Sequence, residues 1–336
     1  MAKVDKKKIA SAFSKIEKQY GKGSIYSIDD AASNFTCPKW STGLEDLDHI
    51  LGGAEDPGQG GMPYGRIVEI SGAEGSGKTT LAYHLMAQHE VAVDIPAEGT
   101  FDMKRAKVFG NQKGQLFVQN VEWAEQALEI LLEYAEAQVP VVVLDSLPFL
   151  MTKAEYQETD FEKQTQRAQL ASLLSRKLSK IEKVLERTQT TWIVINQLRD
   201  KQNAMLFGKK TYTPGGRAIK HAYSVRLEVA RTDWIHVPNK DVRISAAKVP
   251  IGFYMKVKVE KSKVCVPLGE CMLAVIFDRG FVPVDDVAEI RKQIMKENNE
   301  RMKQQGNLKK LAGKTKKTKL EDLEYVDEDE EDNDDE

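Results

Sequence analysis

The chain has 336 residues, of which 41% are hydrophobic and 30% are charged, with 23 Gly and 11 Pro. This hydrophobic fraction is enough for a packed core and excludes wholesale disorder, and the length fits one large domain with appendages or two domains. The sequence has no run of about 18 apolar residues, which excludes a transmembrane helix. The polar, lysine-rich start predicts no secretory signal, and the three widely separated cysteines argue against a disulfide framework or a zinc site. We therefore expect a soluble protein of a reducing compartment.

The net charge of −2 conceals an uneven distribution along the chain. Residues 321–336 have 12 acidic residues in 16 positions, so residues 1–320 carry a net charge of about +10. Residues 301–319 contain eight Lys or Arg residues and no acid. A basic body with an acidic tail indicates a polyanionic partner with which the tail competes, and a tail that merely solvates the chain is the alternative.

The N-terminal region predicts an amphipathic helix over residues 7–20, ended by the glycines that follow. Its apolar face consists of Ile9, Phe13, Ile16 and Tyr20. A single helix before a glycine break cannot bury such a face alone, so this face packs either on the chain's own core or on a neighbouring subunit. A second helix is predicted over 41–53, and a Gly/Pro-rich loop over 54–65. The residues that this second helix turns inward are Leu44, Leu47 and Leu51.

From residue 66 onward, short apolar strands alternate with helices. Strands are predicted at 66–71, 91–95, 141–145, 192–196, 225–230, 254–260 and 271–277. Helices are predicted at 78–89, 123–137, 160–187 and 287–304. Repeated β–α–β units imply an α/β fold in which helices cover both faces of a mostly parallel sheet.

Residues 72–79, GAEGSGKT, fill every position of the phosphate-binding pattern G-x-x-x-x-G-K-[ST] between a predicted strand and a predicted helix. Glycines let the backbone wrap a phosphate, and successive N–H groups at the helix N-terminus supply positive potential. In such a loop, Lys78 neutralises the phosphates and the Thr79 hydroxyl binds Mg²⁺. The predicted nucleotide-binding residues are Gly72, Ala73, Glu74, Gly75, Ser76, Gly77, Lys78, Thr79 and Thr80.

Three polar residues follow predicted strands whose ends share an edge with this loop. Asp145 ends a buried valine-rich strand, where a carboxylate is costly unless it holds a cation; a helix N-cap is the alternative. Glu98 can orient or deprotonate an attacking water, and a surface glutamate is the alternative. Gln197 can report a γ-phosphate to the long basic loop over 198–217.

From about residue 9 to about residue 282 the sequence resembles the bacterial RecA recombinases. The most specific matching stretches are IEKQYGKGSI (16–25) and INQLR (195–199). Other matching stretches are GRIVEISGAEGSGKTTL (65–81), AEGTFD (97–102), VVVLDS (141–146), GGRAIK (215–220) and VEKSKV (259–264). The resemblance implies a P-loop NTPase core of the RecA type with a mostly parallel sheet, an N-terminal polymerisation helix, a reduced helical C-terminus and an acidic disordered tail. The expected divisions are 1–40 for the docking helix and linker, 41–282 for the ATPase core, 283–305 for the C-terminal helix and 306–336 for the basic linker and tail.

The resemblance also implies a function. Subunits would polymerise with ATP and Mg²⁺ on single-stranded DNA as a helical homopolymer, pair that strand with a homologous duplex and exchange strands in recombination and repair. Such a protein would be found in the bacterial cytoplasm or nucleoid and would have no membrane partner.

Matched positions imply roles for individual residues. Glu98 corresponds to the catalytic glutamate, and Gln197 to the glutamine that couples the γ-phosphate to the DNA-binding loop. Lys261 and Lys263 correspond to lysines that reach ATP on the neighbouring subunit; from the residues alone, outward-facing strand lysines are the alternative. Nucleotide-binding residues further include Asp102 and Arg105, the latter standing where the family usually stacks an aromatic ring on adenine.

The DNA contacts that the resemblance implies lie in two loops, the first near 156–164 and the second over 198–217. The candidate DNA-binding residues are Ser172, Arg176, Arg199, Lys201, Gly215, Gly216 and Arg217. Backbone N–H groups and cationic side chains suit phosphates, which makes such binding independent of sequence and sensitive to salt. This chain departs from the family in lacking the glycines of the first loop and in having Gln202 where an apolar wedge is usual.

Three alternatives use the same phosphate-binding loop. A RecA-like ring ATPase, such as a helicase or a repair regulator, is one alternative, but it does not explain the presence of VEKSKV or of the N-terminal helix. A small-molecule kinase requires an arginine-rich lid and an acceptor pocket, which we do not find in the sequence. A non-catalytic filament protein would not require Lys78, Thr79, Glu98 and Asp145 together.

Overall fold

A computed structural model describes residues 5–21, 24–26, 37–54, 58–99, 101–109, 114–159, 168–200, 211–239, 247–267, 269–301 and 303. Residues 160–164 of the first predicted DNA-binding loop, residues 201–210 of the second, including Lys201 and Gln202, and the whole acidic tail lie outside these residues. Within the described ranges, no helix is long and apolar enough to span a bilayer.

The described chain alternates helices and strands over most of its length. Its helices are α1 (Lys6–Tyr20), α2 (Glu45–Asp48), α3 (Lys78–Met86), α4 (Met103–Phe109), α5 (Ala124–Glu136), α6 (Lys153–Gln157), α7 (Ala168–Thr188), α8 (Gly216–Ala222) and α9 (287–301). Its strands are β1 (Lys39–Trp40), β2 (Met62–Pro63), β3 (Ile67–Gly72), β4 (Val91–Ile95), β5 (Gln115–Val118), β6 (Val141–Leu144), β7 (Thr191–Gln197), β8 (Arg199–Asp200), β9 (Thr211–Tyr212), β10 (Val225–Pro238), β11 (Lys248–Ser262), β12 (Glu270–Ile276) and β13 (Gly280–Val282).

A nine-stranded sheet in the order β13-β12-β11-β10-β3-β7-β6-β4-β5 forms the centre of the molecule. The six strands from β10 to β5 are parallel, and β11, β12 and β13 extend the sheet in antiparallel pairing. All of the parallel strands therefore end at one edge, which is where α/β folds bind ligands.

Hydrophobic cores lie on both faces of this sheet. In β6, Val141 and Val143 pack on the side of α3, whereas Val142 and Leu144 pack on the side of α5 and α7. A strand buried on both faces reads as a continuous apolar run, which is why VVVL was recognisable in the sequence. The predicted α/β class, with a mostly parallel sheet between two helical layers, is confirmed.

A third core lies where the β10–β11 hairpin extends beyond the parallel sheet. Ile235 and Val237 of β10 pack there with Val287 and Ile294 of α9. The C-terminal helix is thus fastened to this hairpin through apolar contacts, which places it beside the core of the molecule.

Three expectations about elements need correction. The helix predicted over 41–53 begins only at Glu45, because the Asp48 carboxylate accepts hydrogen bonds from Thr42 N at 2.9 Å and Thr42 Oγ1 at 2.7 Å and holds a turn there. Gly52, with a φ of +111°, interrupts the π-helical turn that follows α2. The strands predicted at 225–230 and 254–260 are much longer, because β10 and β11 continue as a hairpin with exposed arms. The elements that were not predicted are β5, β13, α4, α6 and α8 and the two-residue strands β1, β2, β8 and β9.

The apolar face of α1 is exposed. Its four residues have exposed fractions of 40% for Ile9, 48% for Phe13, 37% for Ile16 and 70% for Tyr20. In the described structure this face therefore does not pack on the chain's own core. Packing on a neighbouring subunit is the remaining alternative.

Candidate active site

The phosphate-binding loop lies between β3 and α3, as its sequence predicts. Gly75 and Gly77 have φ values of +65° and +93°, a conformation that residues with a Cβ rarely adopt. A Cβ on Gly77 would also meet Met255 Cε and the Phe253 ring, so a larger residue here would have to displace these side chains. The loop therefore exposes backbone N–H groups at the start of α3, where an anion is favoured.

Lys78 lies within the loop that it belongs to. Its Nζ donates to Ala73 O at 2.8 Å and to Gly72 O at 3.2 Å. Burial lowers the pKa of this lysine, and the carboxylates of Asp145, Glu98 and Glu74 oppose that shift. The ammonium is held at the loop, which is where a phosphate cradle requires a positive charge.

Thr79 and Asp145 meet across the site. Thr79 Oγ1, at the start of α3, donates to Asp145 Oδ2, just past β6, at 2.6 Å. Burial raises the pKa of Asp145, while the Thr79 hydrogen bond and the Lys78 charge lower it. A hydroxyl and a carboxylate side by side are the hard oxygen ligands that Mg²⁺ takes, together with phosphate oxygens and water, so this donor pair fits the ion.

Glu98 lies at the junction of three strand ends. Its Oε1 accepts from Ser146 Oγ at 2.7 Å and from Gln197 Nε2 at 3.2 Å. Its backbone N–H donates to Asp145 O at 3.2 Å. The structure thus brings together polar residues that follow β4 and β6 and the residue that ends β7, all beside the phosphate-binding loop.

Two residues of this region were not singled out from the sequence. Ser146, which directly follows Asp145, positions Glu98, and its place in VVVLDS was the available signal. Asp94 on β4 is almost fully buried next to Tyr83, and burial together with the Asp145 charge raises its pKa to about 7, while its contact with Tyr83 lowers it.

Lys261 and Lys263 do not lie near the phosphate-binding loop of their own chain. Lys261 pairs with Arg226 of β10, which pairs with Glu69 of β3. Gly72 lies three residues further along β3, roughly 10 Å away at the usual rise of a strand. The two lysines therefore lie toward the edge of the sheet where the parallel strands begin. Lys261 Nζ donates to Lys220 O at 2.7 Å and His221 O at 3.1 Å in the last turn of α8.

A buried polar network links the sheet to the end of the second loop. Glu69, fully buried on β3, accepts from Arg226 Nε at 2.5 Å and from Asn196 Nδ2 at 2.9 Å. Asn196 also donates to Pro214 O at 3.2 Å, and Arg226 Nη2 donates to Thr213 Oγ1 at 3.3 Å. Sequence reasoning missed this network, although a glutamate inside the apolar strand RIVEIS was a signal for it.

The described candidate DNA-binding residues fall in two groups. Gly215 and Gly216, with φ values of +101° and +82°, begin α8, and Arg217 follows them. These three residues and Arg199 line a cavity of about 550 Å³ next to the 3₁₀ turn at Leu147–Phe149. Ser172 and Arg176 are exposed on α7. Backbone N–H groups at a helix start and nearby guanidinium groups can bind phosphates.

Asp102 and Arg105 lie at the start of α4. Asp102 Oδ1 accepts from Arg105 N at 3.0 Å, and the Arg105 guanidinium lies 3.6 Å from Asp102 Oδ2. Both residues border a cavity of about 440 Å³ that also reaches Gly75 and Gly77. This cavity continues from the phosphate-binding loop, so one ligand can occupy both.

Comparisons with known proteins cover most of the chain. The family described as the RecA N-terminal domain matches residues 7–282. Protein RecA of Aquifex pyrophilus is 36% identical over 288 residues, which are 84% of this chain and 77% of that protein. Protein RecA of Deinococcus radiodurans is 38% identical over 291 residues, which are 85% of this chain and 75% of that protein. Protein RecA of Ruminococcus albus is 37% identical over 294 residues, which are 86% and 69% of the two chains.

Proposed function

The chain belongs to the RecA family, and on that premise we propose that it is a DNA-dependent ATPase that acts as a recombinase. It assembles on single-stranded DNA and catalyses homologous pairing and strand exchange. The observation that carries the proposal is that one strand of the central sheet, β7, contacts both the nucleotide site and the end of the second loop. Gln197 contacts Glu98 at one end of β7, and the adjacent Asn196 contacts Pro214.

ATP binds through its phosphates to the loop between β3 and α3. Lys78 neutralises the phosphate charge, while Thr79 and Asp145 would hold Mg²⁺ directly or through water. When bound, Mg²⁺ would supply positive charge that offsets the negative charge developing during transfer. The Thr79–Asp145 contact of 2.6 Å supports this assignment because it already brings both ligands to one point.

Glu98 orients the attacking water and accepts its proton. Ser146 and Gln197 hold one carboxylate oxygen of Glu98, which leaves the other oxygen for the water. Gln197 also senses the γ-phosphate. A change in the contact between Gln197 and the phosphate alters the end of β7, where the second loop begins. Asn196 and Glu69 transmit such a change to the other end of the same loop.

Lys261 and Lys263 act on the nucleotide of a neighbouring subunit. Their position toward the opposite edge of the sheet supports this assignment, because they cannot serve the phosphate-binding loop of their own chain. The exposed apolar face of α1 supports self-assembly, since it offers an apolar surface for the adjacent subunit. An active site completed by a neighbour makes hydrolysis depend on the polymer.

DNA is held by its phosphates. The N–H groups of Gly215 and Gly216 and the cations of Arg199, Arg217 and Arg176 provide contacts that do not read base sequence. Base pairing between strands then provides the specificity, so the protein needs no contact with base edges.

The test is ATP hydrolysis with and without single-stranded DNA at several protein concentrations. We expect strong stimulation by DNA that rises cooperatively with protein concentration, because each site needs its neighbour. Hydrolysis that is indifferent to DNA and linear in protein would instead indicate a monomeric ATPase or a preformed ring. A closed ring that unwinds duplex DNA would favour the helicase alternative.

A further inference from the structure

An aromatic wall faces Asp102 and Arg105 across the 440 Å³ cavity beside the phosphate-binding loop. It consists of Trp234, Phe253 and Phe277, whose ring centroids are each 6.2 Å apart. Phe253 is buried in the main core, whereas Trp234 keeps 42% of its surface exposed toward solvent. One side of the cavity is therefore lined by aromatic rings that are inclined to one another, while the other carries an ion pair.

A β-bulge in the β10–β11 hairpin places Trp234 on this wall. Arg231 pairs with Met255 and Trp234 with Phe253, so three steps along β10 correspond to two along β11. Before the bulge, Val229 packs in the core below α3; after it, Ile235 packs in the core with α9. The extra residue thus exchanges the two faces of β10 and turns Trp234 toward the phosphate-binding loop. Bulges next to active sites commonly redirect a side chain in this way.

Arg231 connects Trp234 to the loop that holds the phosphates. Its Nη1 donates to Gly75 O at 3.1 Å. Its guanidinium carbon lies 4.1 Å above the centre of the Trp234 ring. The same side chain therefore contacts the backbone that surrounds the phosphates and the ring that faces the cavity.

We propose that Arg231 and Trp234 position the bound nucleoside triphosphate, with Trp234 stacking on its base and Arg231 fixing the phosphate-binding loop relative to that base. The inference rests on the proposed ATPase function, because it adds Arg231 and Trp234 to the base-binding site that Asp102 and Arg105 border. A cavity of this volume suits a base and its ribose. The aromatic rings favour a flat heteroaromatic group over the phosphates, which the N–H groups of the loop already bind.

Tryptophan fluorescence in the full-length chain, with Mg²⁺ and without DNA, tests the stacking directly. We expect ADP to quench the emission in the wild type, and W234F to lose that quench while still binding ADP. Inorganic tripolyphosphate should compete with ADP without quenching, because it has no base. The matched control is W123F, because Trp123 packs on Tyr156 away from this cavity, and it should quench like the wild type. An unchanged quench in W234F would overturn the proposal.

Kinetics provide the second test. Loss of one base–aromatic stack is expected to raise the KM for ATP about 5- to 100-fold in W234A. W234F should restore most of the affinity, and the maximal rate should fall far less than the KM rises. Trp234 is partly exposed, so its truncation leaves the core packed. A wild-type KM in W234A with intact DNA stimulation would defeat this inference alone. Hydrolysis that ignores DNA, with the ADP quench intact, would instead defeat the proposed function.

Discussion

At the scale of single residues, Glu98 is the group to which we assign the activation of water. Two donors, Ser146 Oγ and Gln197 Nε2, converge on one of its oxygens. Its environment therefore fixes the direction in which the remaining oxygen can accept a proton. This geometry is what an activating base requires, since efficiency depends first on position and then on pKa.

Replacing this base should separate binding from hydrolysis. We expect E98Q to bind ATP and assemble on single-stranded DNA but to hydrolyse ATP about 10²- to 10⁴-fold more slowly, because a positioned base contributes a factor of that size. Hydrolysis and sedimentation with DNA measure the two properties. E129Q, on an exposed position of α5, is the control and should behave as the wild type. Unchanged turnover in E98Q would assign water activation to another group.

Lys261 provides a pH prediction. Burial, followed by the charges of Lys263 and Arg226, lowers its pKa to about 8, so the side chain is charged below that pH and loses its charge above it. If the cation acts on a neighbour's nucleotide, the phosphates of that nucleotide favour its charged form, so DNA-stimulated hydrolysis declines at a pH above about 8. K261R keeps its charge throughout this range, so it should lack the decline. Parallel profiles for K261R and the wild type between pH 7 and pH 9.5 would refute this dependence.

At the scale of elements, the N-terminal helix carries the most direct prediction. F13D places a charge in the centre of the exposed face of α1, so we expect ATP binding to persist and cooperative assembly to be lost. S11D is the matched control, because Ser11 lies on the opposite side of the helix at 100° per residue. Light scattering on addition of ATP and single-stranded DNA measures assembly. Equal scattering from F13D and S11D would contradict a docking role for this face.

The sequence predicts elements well where one periodicity persists. The continuous apolar run of β6 and the leucine spacing of α7 identify both elements to within a few residues over the described range. The phosphate-binding loop and the strand-end residues Asp145, Glu98 and Gln197 were also recognisable, because parallel strands end at one edge.

Prediction fails where long-range packing decides the structure. The arms of β10 and β11 are mixed in polarity, and the bulge between Arg231 and Trp234 breaks the alternation of period two. The two arms pair with each other in a register that shifts at the bulge, and no local pattern reveals that shift. For the same reason Trp234, whose role depends on that bulge, was not singled out, and neither was Glu69, whose partners come from β7 and β10.

At the scale of the whole molecule, the charge distribution predicts a role for the acidic tail. Removing residues 321–336 takes away 12 acids and leaves a chain of net charge about +10, so DNA binding should strengthen and withstand more salt. The control is a full-length chain in which Asn and Gln replace those acids. Its DNA binding should match that of the truncated chain. The salt concentration at half-dissociation from single-stranded DNA measures the effect. Equal midpoints with and without the tail would show that the tail only solvates the chain.

The whole molecule also determines where ATP is hydrolysed. Each chain carries Glu98 near one edge of its sheet and Lys261 and Lys263 toward the other. If these residues have the roles proposed above, a complete site requires two chains in head-to-tail contact. In such a polymer, hydrolysis, assembly and DNA binding become dependent on one another.

The measurement that tests this claim most directly is hydrolysis by mixed filaments on single-stranded DNA. E98Q subunits keep both lysines, and subunits with K261A and K263A keep Glu98, so each protein alone should be almost inactive. In an equal mixture, random head-to-tail contacts unite an intact Glu98 with intact lysines at about a quarter of interfaces. We therefore expect roughly a quarter of the wild-type rate. A mixture no more active than its separate components would show that the site is not shared between subunits.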